Sequence, residues 1–144
     1  MLTRNLPPST RARLRDVVRA IAEAEVADEL HRDELGAVPM LVETAEVLER
    51  RLLGMPGHFA AGMVVLTLVF DRSTTVTDGG AFRALPLAAR RRALGRLRGK
   101  PLGPLANFTT FYDKMAPFIF WSQLEEHGLL GAVLGPGCDH GGGA

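Results

Sequence analysis

The chain has 144 residues, a hydrophobic fraction of 47% and a formal net charge of +1. This length fits one domain with a core of its own, and the hydrophobic fraction excludes a disordered chain. The nearly balanced charge does not indicate a general nucleic-acid binder.

Residues 1–9 form a predicted N-terminal extension without the features of an export signal. This stretch has no apolar run, and no twin arginine precedes one. Cys138 is the single cysteine, so an internal disulfide cannot form, which fits a reducing compartment. We therefore expect a cytoplasmic protein.

Apolar residues recur at helical spacing over residues 10–26 and again over residues 38–53, which predicts two amphipathic helices. Residues 7–10, Pro-Pro-Ser-Thr, are typical of a stop followed by a helix N-cap. Residues 28–34 are polar and predict a loop. The short turn at residues 54–57 predicts that the second helix and the next one are antiparallel.

Residues 57–70 are apolar on nearly every side and predict the third helix. A helix that is apolar all round is expected at the centre of its domain. Its apolar run of twelve residues, Phe59 to Phe70, is shorter than the roughly 20 that a membrane span needs. We therefore predict a buried core helix, no membrane span, and a polar connection over residues 71–80.

The second half of the chain is divided by prolines and glycines. Residues 82–85 predict a short turn, residues 86–98 a helix, and Pro104 the start of a last long helix. Pro117 is expected to kink or end that helix, because proline lacks the backbone donor and clashes with the preceding turn. Residues 129–134 form a short apolar segment.

These elements predict an all-α fold. A single compact helical domain of about five or six helices is expected over residues 10–134, around the buried central helix at residues 57–70. Residues 135–144 form a predicted flexible Gly-rich tail.

The residue types that carry chemistry show no motif. His31, His58, His127 and His140 share no ligand spacing, and Cys138 to His140 lies in the glycine tail without a second ligand pair. Neither a P-loop nor a dinucleotide fingerprint is present. We expect no catalytic, metal-binding or cofactor-binding residues in this chain.

Charge is segregated along the chain. Arg83 to Lys100 is rich in arginine and contains no acid, whereas Glu23 to Glu49 is rich in acids. The basic stretch has three interpretations: an exposed helix face, a surface for a protein partner, or a surface for nucleic acid.

Most of the aromatic residues lie between Phe108 and Trp121, on what helical spacing divides into two faces. One face holds Phe108, Tyr112, Met115 and Ile119, and the other holds Phe111, Phe118 and Trp121. The stripe is therefore either core only or core plus partner surface, since interface cores are also rich in aromatics and arginine. The predicted partner-interface residues are Phe82, Arg90, Phe108, Phe111, Tyr112, Phe118 and Trp121.

Two segments of this stretch resemble a known family. They are Gly79-Gly-Ala-Phe82-Arg-Ala-Leu85-Pro-Leu-Ala-Ala-Arg90-Arg-Arg-Ala-Leu94 and Pro104-Leu-Ala-Asn-Phe108-Thr-Thr-Phe111-Tyr112. Both are similar to the small subunit of membrane-type gluconate 2-dehydrogenase and related flavin dehydrogenases. Ala20 to Val26 lies where that family has an early Leu-Ala-Asp-x-Leu-Ile-Pro segment, but here Val26-Ala27 replaces the Ile-Pro.

The resemblance implies a non-catalytic helical subunit that stabilises a large flavoprotein of the glucose–methanol–choline type. In the family the large subunit holds the FAD and oxidises an alcohol, sugar or sterol-like hydroxyl. The expected assembly is a hetero-oligomer without nucleic acid. The alternative is a helical nucleic-acid or regulatory protein-binding module that uses the basic face from Arg83 to Lys100.

Overall fold

The computed structural model describes residues 6–32, 35, 38–99 and 103–134. These residues form one compact helical domain without β-strands, which confirms the predicted all-α class. The helices are α1 (Pro8–Leu30), α2 (Leu41–Leu53), α3 (Gly57–Asp78), a 3-10 turn (Phe82–Ala84), α4 (Leu87–Arg98), α5 (Pro104–Glu126) and α6 (Leu130–Leu134). The predicted tail at residues 135–144 lies outside the described residues.

Helix α1 is the central element of the fold. It contacts α2, α3, α4, α5 and the 3-10 turn. The stretch from Ala20 to Ala27 is buried except for the half-buried Glu23, and its alanines let neighbouring helices approach closely. The prediction that residues 57–70 form the buried centre is therefore wrong, because small side chains rather than the most hydrophobic ones occupy the middle of this domain.

Helix α1 is also longer than predicted at both ends. It begins at Pro8, which fits the first helical position because proline has no N–H to leave unpaired. No side chain caps the helix, so the predicted Ser or Thr N-cap is wrong. At the other end residues 28–30 remain helical, since the Asp28 carboxylate pairs with Arg91 at 3.3 Å and Arg98 at 3.4 Å.

Helix α3 continues through the polar residues 71–78, where a loop was predicted. The Asp71 carboxylate accepts a hydrogen bond from the backbone N–H of Arg83 at 3.0 Å. The Thr74 hydroxyl donates to the carbonyl of Gly80 at 2.8 Å. These polar side chains face inward and hold the turn that follows, and Gly79, with φ of 82°, ends the helix.

Helix α5 passes through Pro117 and ends at Glu126. Proline removes one backbone donor, and packing of the buried Ala116, Ile119 and Phe120 around it keeps the helix continuous. Phe120 belongs to a smaller core at this end of the molecule, together with Val26, Leu124 and Val133.

Among the helices that the structure describes, one has the length and composition of a membrane span. Helix α3 has 22 residues; its most apolar 18-residue window has a mean hydropathy of 1.3, and 39% of that window is buried in the fold. Core helices of soluble proteins pass the same test, and one side of α3 packs against α1 and α5 here.

Candidate docking surface

The structure assigns part of the predicted interface to the core. Phe82, Phe108 and Tyr112 are each at most 1% exposed, which corrects the expectation that they face a partner. With Phe70 they form a chain of contacting rings. The centroid of the Phe70 ring lies 4.7 Å from that of Phe82 and 5.7 Å from that of Phe108, and the Phe108 and Tyr112 centroids are 5.0 Å apart. Ring pairs at such distances stabilise a core beyond the area that they bury.

The Tyr112 hydroxyl is satisfied inside this core. The Thr67 hydroxyl donates to the carbonyl of Met63 at 2.7 Å, so it accepts from the Tyr112 hydroxyl at 2.8 Å. Burial raises the pKa of Tyr112 above its ordinary value, so the phenol stays a neutral donor. This arrangement fixes the register of α3 against α5.

Replacing Thr67 by valine is expected to lower the free energy of unfolding by about 1–3 kcal/mol, because the buried Tyr112 hydroxyl loses its acceptor. Urea denaturation measures the change. The double variant Thr67→Val/Tyr112→Phe should recover much of the loss, since it removes both polar partners. A Thr67→Val protein as stable as the wild type would rule out this hydrogen bond as a stabilising contact.

Arg90 also serves the fold rather than a free surface. Its side chain is 13% exposed, and its Nη1 donates to the carbonyl of Ala20 at 2.9 Å and to Glu23 at 3.1 Å. Its Nε donates to the carbonyl of Leu85 at 3.1 Å. Arg90 therefore joins α4 and the 3-10 turn to α1, which corrects its predicted place at a partner interface.

Most of the other arginines of the basic stretch also pair with acids of this chain. Arg83 lies 3.6 Å from Asp71, and the Arg91 and Arg96 guanidiniums lie 3.3 Å and 2.5 Å from Asp28 and Asp78. Arg92 is exposed and has no ion pair within the part of the chain that the structure describes. The charge segregation along the sequence is thus largely neutralised by contacts between helices. Lys100 lies outside the described residues.

Arg98 is the centre of a partly buried charge cluster. Its guanidinium contacts Glu25 at 2.5 Å, Asp113 at 2.8 Å and Asp28 at 3.4 Å, and so joins α1, α4 and α5. The Glu25 side chain is only 2% exposed. Burial raises the pKa of Glu25 to about 8, although Arg98 opposes this shift and the neighbouring Asp113 reinforces it.

The second aromatic face differs from the first in exposure. Phe111 and Trp121 are half-buried, and Phe118 is 61% exposed. Trp121 packs against Phe120 and donates its Nε1–H to Glu29 at 3.3 Å. Of the predicted interface residues, Phe118 therefore remains the aromatic most accessible to a partner, and Phe111 and Trp121 are accessible in part.

Several uncovered apolar side chains lie on α3, and their exposure was not predicted. Phe59, Val65 and Val69 are 56%, 58% and 58% exposed, whereas Met63, Val64 and Phe70 of the same helix are buried. The sequence signal was present, because a helix that is apolar all round and not central must leave one side uncovered. Helical spacing places Val65 and Val69 roughly 80–120° around α3 from Phe59. We call these three exposed residues together the apolar face of α3.

A cleft of about 430 Å³ borders this face. It lies between α3 and α5, and its mostly apolar lining includes Met55, Phe59, Gly62, Leu66 and Phe111. Asn107 and Thr110 add polar groups on the α5 side, and His58 lies at the start of α3, 4.2 Å from the Phe59 ring. The cleft is large enough to receive side chains of a partner or a small apolar molecule.

Within the described residues, no group of three or more His, Cys, Asp and Glu side chains is arranged to hold a metal ion. His31 ends α1 and His127 ends α5, while Cys138 and His140 lie outside the described residues. The described histidines do not converge on one site.

Comparison with known proteins does not assign this chain to a family. No protein-family model, curated protein or solved structure matches the chain. The resemblance to flavin-dehydrogenase small subunits therefore rests on the residues of the two segments quoted above.

Proposed function

We propose that this chain is a non-catalytic accessory subunit that docks on a larger protein through the apolar face of α3. The observation that carries the proposal is that Phe59, Val65 and Val69 stay exposed while the chain buries its central aromatic rings. Exposed apolar patches of this kind often mark interaction sites, because covering them removes apolar surface from water.

The proposed partner is a large FAD-containing oxidoreductase of the glucose–methanol–choline type that acts on an alcohol, sugar or sterol-like hydroxyl. This part of the proposal is supported by the resemblance of residues 79–94 and 104–112 to the small subunits of such enzymes. In this fold those segments form the 3-10 turn, most of α4 and the start of α5, which pack against α1. Their role is to build the scaffold that carries the docking face, and the FAD belongs to the partner.

A nucleic-acid or regulatory module is the alternative function, and it would need free cations along α4. Five arginines between Arg83 and Arg98 instead form ion pairs with acids of α1, α3 or α5, Arg98 with Asp113. Phosphate binding would have to break these internal contacts, so the observations favour the docking subunit.

Co-purification tests the proposed function. A tagged chain expressed in its own host is expected to retain a large flavoprotein, recognised by flavin absorbance and by alcohol-dependent reduction of an artificial acceptor dye. Phe59→Ser should retain much less of it, because the change removes an exposed apolar anchor, while its unfolding transition stays near that of the wild type. A stable monomer that changes no oxidoreductase's yield or activity would overturn the proposal.

A further inference from the structure

The shape of the cleft beside α3 is that of a groove between two helices. Phe59, Gly62 and Leu66 follow one another along α3, and Asn107 and Phe111 follow one another along α5. Gly62 leaves the groove open, since a Cβ added there would meet no atom within 4 Å. Grooves bounded by two helices receive the side-chain row of a third helix.

Free positive charge borders one end of this groove. Arg50 and Arg51 in the last turn of α2 are exposed, and with Met55 they line a neighbouring depression of about 590 Å³. Neither guanidinium has an ion pair among the described residues, although the exposed Glu46 lies one turn before Arg50. Met55 lines both the groove and the depression, so the charged edge is continuous with the apolar floor.

This arrangement differs from the basic face of α4. There all arginines except Arg92 pair with acids of the same chain, whereas Arg50 and Arg51 form no ion pair within the described residues. Lys114, on the exposed side of α5 between Phe111 and Phe118, adds another cation without an ion pair in the described part of the chain. A partner that fits this surface must combine an apolar row with negative charge at its edge.

We propose that this groove binds an amphipathic helix of the partner with an apolar stripe and flanking Asp or Glu side chains. The inference rests on the proposed function and specifies the chemistry of the segment that docks. Apolar residues at positions i, i+3 or i+4, and i+7 fill the groove over Gly62, and the acids meet Arg50 and Arg51. The apolar lining makes a polynucleotide a poor occupant, because phosphates would lose hydration there without ionic compensation.

Synthetic peptides test this inference on the full chain. The probes are a helical peptide with a leucine stripe and glutamate flanks, the same stripe with lysine flanks, and the glutamate peptide with serine in place of leucine. The leucine–glutamate peptide is expected to bind at least about tenfold more tightly than either other peptide at low salt. When this peptide binds, the changes in the protein's amide NMR chemical shifts should centre on Phe59, Gly62 and Thr110.

Charge reversal supplies the matched control. Arg51→Glu is expected to remove the preference for glutamate over lysine flanks. Arg92→Glu reverses another exposed arginine, on α4, which forms no ion pair within the described residues, and should leave the preference unchanged. Equal binding of both leucine peptides, binding of the serine peptide, or shifts centred on α4 would each overturn the inference.

Other occupants of the groove are distinguishable outcomes. Concentration-dependent dimerisation abolished by Phe59→Ser would assign the face to a second copy, and adsorption to phosphatidylglycerol vesicles would assign it to a lipid surface; both overturn the inference. A flavoprotein complex that survives Arg51→Glu but is lost in Phe59→Ser would overturn the acidic helix as the occupant of the groove while keeping the proposed function. Selective binding of the leucine–glutamate peptide, with no flavoprotein co-purifying with the chain, would support the groove and overturn the proposed function.

Discussion

Replacement of Phe108 by alanine is expected to lower the free energy of unfolding by about 3–5 kcal/mol. Phe108 is 1% exposed, and its ring contacts Phe70 and Tyr112 at centroid distances of 5.7 and 5.0 Å. Alanine would leave a cavity between α3 and α5 that helices fixed by other contacts cannot fully close. Urea denaturation followed by circular dichroism measures the loss.

Phe118 is the matched control for Phe108, because it is the same residue type on the same helix but is 61% exposed. Phe118→Ala is expected to change stability by no more than about 0.5 kcal/mol. Equal losses for the two variants would contradict the division of α5 into a core face and an accessible face.

Replacement of Glu25 by glutamine is expected to remove part of the pH dependence of stability. The folded-state pKa of Glu25, about 8, lies above its ordinary value of 4.5, so the unfolded chain releases the proton first. The stability that Glu25 contributes is therefore complete below about pH 4.5 and is lost as the pH rises through about 8. A neutral glutamine can accept from Arg98 and donate to Asp113 at any pH.

Above pH 8 the Glu25→Gln protein should consequently be more stable than the wild type by a few kcal/mol, with convergence near pH 5. Urea denaturation across this pH range measures the difference. Glu43→Gln, at an exposed position of α2, is the control and should follow the wild-type curve. A Glu25→Gln protein that is less stable at every pH would show that the ionised Glu25–Arg98 pair stabilises the fold instead.

Helical periodicity predicted much of this architecture. The apolar stripes located α2, α4 and the start of α5, and the spacing on α5 separated the buried Phe108, Tyr112 and Ile119 from the more accessible Phe111, Phe118 and Trp121. These predictions succeeded because a 3.6-residue period follows from local geometry alone. The interface list was wrong where it combined residues of both faces.

Features that depend on contacts between distant segments could not be predicted in the same way. The sequence alone predicts a loop at Asp71 and Thr74, because their hydrogen-bond partners at Arg83 and Gly80 are identified only in the folded structure. Arg90 reads as a surface residue until Ala20 and Glu23 are placed beside it. Hydrophobicity also misplaced the centre of the fold, because the alanines of α1 are buried whereas Phe59, Val65 and Val69 of α3 are exposed.

Identifying the docking surface requires both the local sequence pattern and the contacts between distant segments. The apolar character of α3 was evident from composition, but its uncovered side depends on where α1 and α5 pack. That Arg50 and Arg51 form no ion pair within the described part of the chain likewise depends on which acids the other helices use for pairing. A surface of this type is identified only after the internal contacts have been assigned.

Amide hydrogen exchange of the co-purified complex, compared with the free chain, tests most directly which face docks. We predict slower exchange in the complex along residues 57–69 of α3 and residues 107–111 of α5, with α4 unchanged. Slower exchange confined to α4, with α3 unaffected, would contradict the account and assign docking to the arginine-rich helix.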